Sequence, residues 1–210
     1  VSAMIFSNNK IILPNTTTAI GLQNVSASPQ ITANTIQSSG TATNRGIVNS
    51  ASSPTISNNT FTMASAASQN RGIVNETGSA PSITNNSFSL SGTNSSTSIA
   101  IDNNASPAII SNNTITFGTS GATSTHTGIS SAAGSLASIT GNTINLGNTN
   151  SANNYCILNN ASATTVQNNT LNTGVNSTTY GIYNSSASGT ISGNTVTTGT
   201  GGTNTGIYNT

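Results

Sequence analysis

The sequence predicts an all-β fold, a parallel solenoid of eight coils in which each coil is one repeat of 25–29 residues. The first observation is a six-residue motif, apolar–x–x–Asn–Thr–apolar, that recurs as FSNNKI, ITANTI, ISNNTF, ITNNSF, ISNNTI, ITGNTI, VQNNTL and ISGNTV. The second is a shorter motif that follows each of these after 11–14 residues: GLQN, GIVN, GIVN, AIDN, GISS, CILN, GIYN and GIYN. Apolar residues alternate with Ser, Thr or Asn in these segments, as expected of strands with one buried face. Residues 1–210 are therefore expected to form a single domain of stacked strands.

Three columns of apolar residues run through the aligned repeats. The first ladder is Phe6, Ile31, Ile56, Ile83, Ile110, Ile139, Val166 and Ile191. The second ladder lies five residues on, at Ile11, Ile36, Phe61, Phe88, Ile115, Ile144, Leu171 and Val196, and Met63, Leu90, Phe117 and Leu146 extend it inward. The third ladder is Leu22, Ile47, Ile73, Ile101, Ile129, Ile157, Ile182 and Ile207. A five-residue step cannot join two inward positions of one straight strand, so we expect a corner between the first two ladders.

Asparagine fills the expected corner in every repeat. This corner ladder comprises Asn9, Asn34, Asn59, Asn86, Asn113, Asn142, Asn169 and Asn194. Asn tolerates left-handed backbone dihedrals and bonds to neighbouring backbone amides, so we expect these residues to form the turn. Coils stacked about 4.8 Å apart would also bring their side-chain amides within hydrogen-bonding reach, a structural role that we favour over ligand binding. A second column follows the third ladder, with Asn24, Asn49, Asn75, Asn103, Asn159, Asn184 and Asn209, and Ser131 stands in one repeat.

With these ladders the chain resembles the right-handed parallel β-helix repeats of the pectate-lyase-like superfamily, over the span from Phe6 to Asn209. The resemblance implies a right-handed coil with internal Asn ladders. It implies little about activity, because that architecture carries lyases, hydrolases, adhesins and phage tailspikes.

Composition excludes several classes of function. Charged residues make up 2% of the chain, namely Lys10, Arg45, Arg71, Glu76 and Asp102, and the net charge is +1. No basic surface for a nucleic acid or an anionic lipid is expected, and no segment is long and apolar enough for membrane insertion. The first residues lack a signal-peptide pattern, so a secreted protein would be present here in mature or excised form.

The residue types that carry chemistry are scarce, so we expect no enzyme, no cofactor and no metal site. Polysaccharide cleavage uses clustered carboxylates or cations, whereas Glu76 and Asp102 are the only acids, with structural or solvated placements favoured and no Lys or Arg in register beside Asp102. His126 is expected in a loop. Cys156 replaces the Gly that precedes the third ladder in six repeats, which favours a small residue in a small slot over a reactive thiol.

Three surface features suggest binding sites. Thr pairs on the outward face of the second-ladder strand, at Thr60, Thr62, Thr114, Thr116, Thr195 and Thr197, resemble the ice-binding faces of β-solenoid antifreeze proteins, although Thr also simply favours exposed strands. Arg45 and Arg71 stand at equivalent places in adjacent repeats, where they would hold an anionic sugar or lie solvated near Glu76. The variable stretches GTSGATSTHTG and GNTNSANNY mark a loop flank of the kind that binds ligands in solenoids, here a glycan.

We therefore predict a structural repeat module of an extracellular or cell-surface protein, such as a fibre subunit or an adhesin stalk. The alternative is a module that binds ice or glycans through the Thr-rich face or the loop flank. If a second copy followed Thr210, Phe6 would come nine residues after Ile207, which is the step found at five of the seven internal junctions. The expected partners are therefore further copies stacked head-to-tail, or flanking repeats of a longer chain.

Overall fold

The computed structural model describes residues 4–14, 17–38, 43–65, 69–92, 97–104, 106–118, 125–148, 153–161, 164–175, 178–185 and 188–210. Every regular element in these ranges is a β-strand, and none contains a helix able to cross a membrane. The strands form three parallel sheets of eight strands each, so the chain completes about seven full turns between its first and last strand triplets. The predicted all-β parallel solenoid is thereby confirmed. Each triplet is called a rung, numbered 1 to 8 along the chain.

The first sheet carries the first ladder on short strands. These are β1 (Ile5–Ser7), β4 (Gln30–Thr32), β7 (Thr55–Ser57), β10 (Ser82–Thr84), β13 (Ile109–Ser111), β16 (Ser138–Thr140), β19 (Thr164–Gln167) and β22 (Gly189–Ser192).

The second sheet carries the second ladder. Its strands are β2 (Lys10–Leu13), β5 (Thr35–Ser38), β8 (Thr60–Ser65), β11 (Ser87–Gly92), β14 (Thr114–Phe117), β17 (Thr143–Asn145), β20 (Thr170–Asn172) and β23 (Thr195–Thr197).

The third sheet has the longest strands. They are β3 (Thr18–Val25), β6 (Thr43–Ser50), β9 (Gln69–Asn75), β12 (Thr97–Asn103), β15 (Thr125–Ser131), β18 (Asn154–Asn159), β21 (Thr178–Asn184) and β24 (Thr203–Asn209). Because its strands run for six to eight residues, this sheet is the widest of the three along the strand direction.

All three ladders pair residue for residue between neighbouring rungs. Ile83 lies opposite both Ile56 and Ile110, and Ile101 opposite both Ile73 and Ile129. Ladder residues of the six inner rungs are at most 1% exposed. Met63, Leu90, Phe117 and Leu146, each two residues after a second-ladder residue, are buried too. Burying each of these side chains contributes on the order of 1.5–3 kcal/mol, so the core is a continuous apolar column.

The corner between the first and second sheets is present, but its left-handed residue is not the predicted one. Positive φ angles of 55–65° occur one position before each corner-ladder Asn, at Asn8, Ala33, Asn58, Asn85, Asn112, Gly141, Asn168 and Gly193. The corner-ladder Asn residues themselves have no positive φ angle. The left-handed turn is therefore formed by the residue immediately before each corner-ladder Asn, which is Asn, Ala or Gly. The corner-ladder Asn side chains are thus available for hydrogen bonds between rungs.

Candidate functional site

The corner ladder is a continuous hydrogen-bonded column inside the coil. The Asn59 Nδ2 donates to Asn86 Oδ1 at 3.0 Å, and the Asn59 backbone N–H donates to the same oxygen at 2.9 Å. The pattern repeats from Asn9 to Asn194, with all seven amide-to-amide distances between 2.9 and 3.0 Å. Each inner Asn also donates from Nδ2 to a first-ladder carbonyl of the preceding rung, as Asn59 does to Ile31 O at 2.8 Å. The predicted amide ladder is thus confirmed.

This column has a direction. Every Oδ1 accepts from the rung before it, and every backbone N–H donates to the rung after it. Within the described part of the chain, Asn9 Oδ1 at rung 1 therefore has no donor, and the Asn194 backbone N–H at rung 8 has no acceptor. The two ends of the ladder are chemically complementary: an open acceptor at one end and an open donor at the other.

The second Asn column is interrupted where the sequence replaces Asn by Ser. The Nδ2 groups of Asn24, Asn49 and Asn75 each donate to the Oδ1 of the column Asn on the next rung. Asn103 Nδ2 instead donates to Ser106 O at 2.7 Å. Ser131 Oγ, at the position where the column is interrupted, is buried and has no hydrogen-bond partner within the described ranges. The column resumes from Asn159 to Asn184 at 2.6 Å and continues to Asn209.

Ser131→Asn is therefore expected to raise the free energy of unfolding by about 1 kcal/mol, because it joins the two halves of the column and removes an unpaired buried hydroxyl. Urea unfolding followed by circular dichroism measures this change. Ser131→Ala is the matched control, since it removes the orphaned hydroxyl without restoring the column. Equal stabilities for the Asn and Ala variants would show that the interrupted column contributes nothing.

Two further polar columns were not predicted from the sequence. Serines stack beside the second Asn column, where Ser79 Oγ donates to Asn49 O, Ser106 Oγ to Ser79 O and Ser135 Oγ to Asn103 O. Inside the third sheet, Asn44 Nδ2 donates to Asn70 Oδ1 at 3.2 Å. The only signal for these columns is small polar residues at equivalent repeat positions, which is hard to separate from the abundant Ser and Asn of the whole chain.

His126 lies in strand β15 and not in a loop, which corrects the sequence-based expectation. Its side chain is fully buried, and its ring stacks on Phe117 with ring centroids 4.6 Å apart. Nδ1 lies 3.4 Å from Leu146 O, whereas Nε2 has no partner among the residues that the structure describes. Burial lowers the pKa of His126 to about 4, the carbonyl of Leu146 opposing this effect. A neutral, enclosed imidazole of this kind is a core residue rather than a ligand for metal or substrate.

Cys156 lies in the core where neighbouring backbones approach closely. A Cβ added at Gly128, the equivalent position one rung earlier, would lie 2.5 Å from Cys156 O, so the backbones approach closely here. The Cys156 side chain is fully buried, and burial raises the pKa of its thiol well above the usual range. The thiolate needed for nucleophilic chemistry is therefore disfavoured.

Arg71 and Asp102 form an ion pair that the sequence analysis did not predict. Arg71 Nη1 lies 2.5 Å from Asp102 Oδ2, between neighbouring strands β9 and β12, and Asp102 is 5% exposed. Arg71 lies opposite Ile99 in the register, so the contact reaches diagonally across three residues. Glu76 makes no ion pair among the described residues. In the described part of the chain, Arg71 therefore pairs with Asp102 and not with Glu76.

The arginines and tyrosines of the chain lie on the outer face of the third sheet, in two columns. One column, the Arg–Tyr column, pairs across rungs 1 to 8 and consists of Ile20, Arg45, Arg71, Ile99, Thr127, Tyr155, Tyr180 and Thr205. All of them except the buried Thr127 are at least partly exposed. A parallel column three residues on contains Val48, Val74, Asp102, Leu158, Tyr183 and Tyr208. This face therefore holds both arginines and all four tyrosines of the protein.

The four tyrosines form one cluster on rungs 6 to 8. Tyr155 stacks on Tyr180 with ring centroids 5.3 Å apart, and Tyr183 stacks on Tyr208 at 5.0 Å. Tyr183 meets Tyr180 edge-on at 5.2 Å. Burial and the neighbouring phenols raise the pKa of Tyr155. The rings remain partly exposed. The paired tyrosines recur one repeat apart, Tyr155 to Tyr180 and Tyr183 to Tyr208, so the cluster could have been found from the sequence by aligning the polar and aromatic positions around the third ladder.

The Thr pairs lie on the second sheet as predicted, flanking buried residues such as Phe61 and Ile115. Thr60 and Thr114 are exposed, as are Thr116, Thr195 and Thr197. The three pairs occupy rungs 3, 5 and 8, however, and Ser87 and Ser89 separate the first two. They therefore do not make a continuous array. The centres of the variable stretches, residues 119–124 and 149–152, lie outside the described residues.

No three His, Cys, Asp or Glu side chains in the described ranges come together as metal ligands. Comparisons with family models, with curated proteins and with solved structures gave no match for this chain. The candidate functional features are therefore the ladders, which join one coil to the next, and the Arg–Tyr face of the third sheet.

Proposed function

We propose that the protein is a non-enzymatic structural repeat module of an extracellular or cell-surface protein, a fibre subunit or an adhesin stalk that extends coil upon coil. The directional corner ladder carries this proposal, because each rung presents donors to a next rung that presents the matching acceptors. The right-handed course of the coil and its place in the pectate-lyase-like superfamily are part of the proposal. So is an extracellular location, which the low charge of the chain favours.

The end rungs support an axial partner. Phe6, Ile11 and Leu22 at rung 1 are only partly buried, and Ile207 at rung 8 is 51% exposed, whereas equivalent residues of inner rungs are at most 1% exposed. Uncovered ladder residues and unpaired strand edges favour association with another β-strand layer. A further coil would cover them, supplied by a second copy stacked head-to-tail or by flanking repeats of a longer chain.

Ile207→Lys tests the stacking of copies, because it places a charge on the exposed end of the third ladder. We expect the unmodified 210-residue chain to form extended assemblies in negative-stain electron microscopy and sedimentation velocity, and the variant to lose them. Leu136→Lys is the matched control, since Leu136 is a similarly exposed aliphatic residue, 59%, away from the ends. Assemblies that persist in Ile207→Lys, or are absent from the unmodified chain, would contradict head-to-tail stacking.

A further inference from the structure

The Arg–Tyr column carries its arginines near one end and its tyrosines near the other. If a second copy lay against it in the opposite direction, arginines would face tyrosines. Arginines occupy rungs 2 and 3, and tyrosines occupy rungs 6 and 7. When a second copy is turned end-for-end, rung 2 faces rung 7 and rung 3 faces rung 6. Arg45 then lies opposite the partner's Tyr180, and Arg71 opposite the partner's Tyr155.

A two-fold axis parallel to the strands produces this arrangement. Rotation about such an axis places the two third sheets face to face, reverses the order of the rungs and keeps each column opposite itself. Every contact then occurs twice, as in an isologous dimer. Like charges do not meet, because the arginine half of one copy faces the tyrosine half of the other.

We propose that the outer face of the third sheet is a lateral interface between two antiparallel copies of this chain. Guanidinium N–H groups donate to phenol oxygens or lie over phenol rings, and Tyr and Arg are the residues most enriched at the energetic centres of interfaces.

The exposed part of the face supplies the contact area. Four residues of the two columns are at most 5% exposed in the single chain, namely Val48, Val74, Asp102 and Thr127. The remaining residues of the Arg–Tyr column therefore carry most of the accessible surface. The partly exposed Ile20, Ile99 and Leu158 add apolar area. A net charge of +1 opposes such pairing only weakly.

Sedimentation equilibrium in the Ile207→Lys background tests the lateral interface separately from end stacking. Between about 1 and about 200 µM, the weight-average mass is expected to rise from monomer to dimer. Arg45→Glu should raise the dissociation constant at least about tenfold, since each dimer contains the altered contact twice. Lys10→Glu makes the same charge change on the exposed edge of the second sheet and should leave the constant unchanged.

A compensating variant identifies the antiparallel arrangement. Tyr180→Arg alone should weaken the dimer by bringing like charges together, whereas Arg45→Glu combined with Tyr180→Arg should restore it through two intermolecular ion pairs. Circular dichroism and thermal unfolding verify that each variant keeps the fold. Residues 45 and 180 lie on rungs 2 and 7, and the Ile207→Lys background removes head-to-tail contacts from the comparison.

The proposal is overturned if the Ile207→Lys protein stays monomeric over this concentration range, if Lys10→Glu weakens association as much as Arg45→Glu, or if the double variant fails to recover it. A monomer whose tyrosine fluorescence responds to neutral oligosaccharides would assign the face to a glycan instead.

Discussion

Asn113→Ala is expected to lower the free energy of unfolding by about 3 kcal/mol, a large share of the stability of a typical domain. Asn113 Oδ1 accepts both the backbone N–H and the Nδ2 of Asn86, at 3.0 Å each. Its own Nδ2 donates to Ile83 O at 3.0 Å and to Asn142 Oδ1 at 3.0 Å. Alanine leaves these groups without their partners in a site that is only 1% exposed.

Asn112→Gly is the matched control for this prediction. Asn112 is the preceding residue, is exposed and has a φ of 55°, a conformation that glycine adopts without strain and that Gly141 adopts at the next corner. We expect its effect to stay within about 0.5 kcal/mol in urea unfolding. If Asn113→Ala cost no more than Asn112→Gly, the ladder would not stabilise the coil.

Acidification is expected to destabilise the protein by up to about 3 kcal/mol through His126 alone. The folded-state pKa of about 4 lies below the ordinary value of 6.5, so the unfolded chain binds the proton first. The stability that depends on neutral His126 is therefore complete above pH 6.5 and is lost as the pH falls towards about 4.

His126→Phe isolates this contribution. Phenylalanine keeps the stacking on Phe117 and removes the unpaired Nε2, so the variant should be at least as stable as the parent at pH 7. Unfolding measured in urea at pH 7, 5.5 and 4 should show a much flatter pH dependence for the variant. Identical profiles for the two proteins would mean that the acid sensitivity comes from other groups.

The ladders could be predicted from sequence because each depends on a residue type that recurs at a fixed offset. Ile110 and Asn113 are three residues apart in their repeat, as Ile83 and Asn86 are in the one before, so stacking follows from spacing alone. The left-handed corner residue could not be predicted in this way, because Ala33, Asn112 and Gly141 all adopt it. Backbone geometry selects that conformation, and several residue types tolerate it.

Two of the features missed by sequence reasoning, His126 and the Arg71–Asp102 pair, depend on the local structure beside the loops between the second and third sheets. His126 follows a long variable stretch, so its strand was mistaken for a loop. The Arg71–Asp102 pair is diagonal between rungs, and the spacing of neither repeat predicts it. The tyrosine cluster, by contrast, follows from spacing, because Tyr155 and Tyr180 both stand two residues before the third ladder; the apolar ladders alone do not include that position.

The most direct test of coil-upon-coil extension is the axial rise of assemblies formed by the 210-residue chain, measured by cryo-electron microscopy. If the ladders continue from Asn194 of one copy into Asn9 of the next, each subunit adds eight rungs at about 4.8 Å, and the rise is about 38 Å. The strand spacing should then run unbroken across the junction between subunits. A rise that is not a whole number of rungs, or a gap in the strand spacing at each junction, would contradict continuation of the ladders.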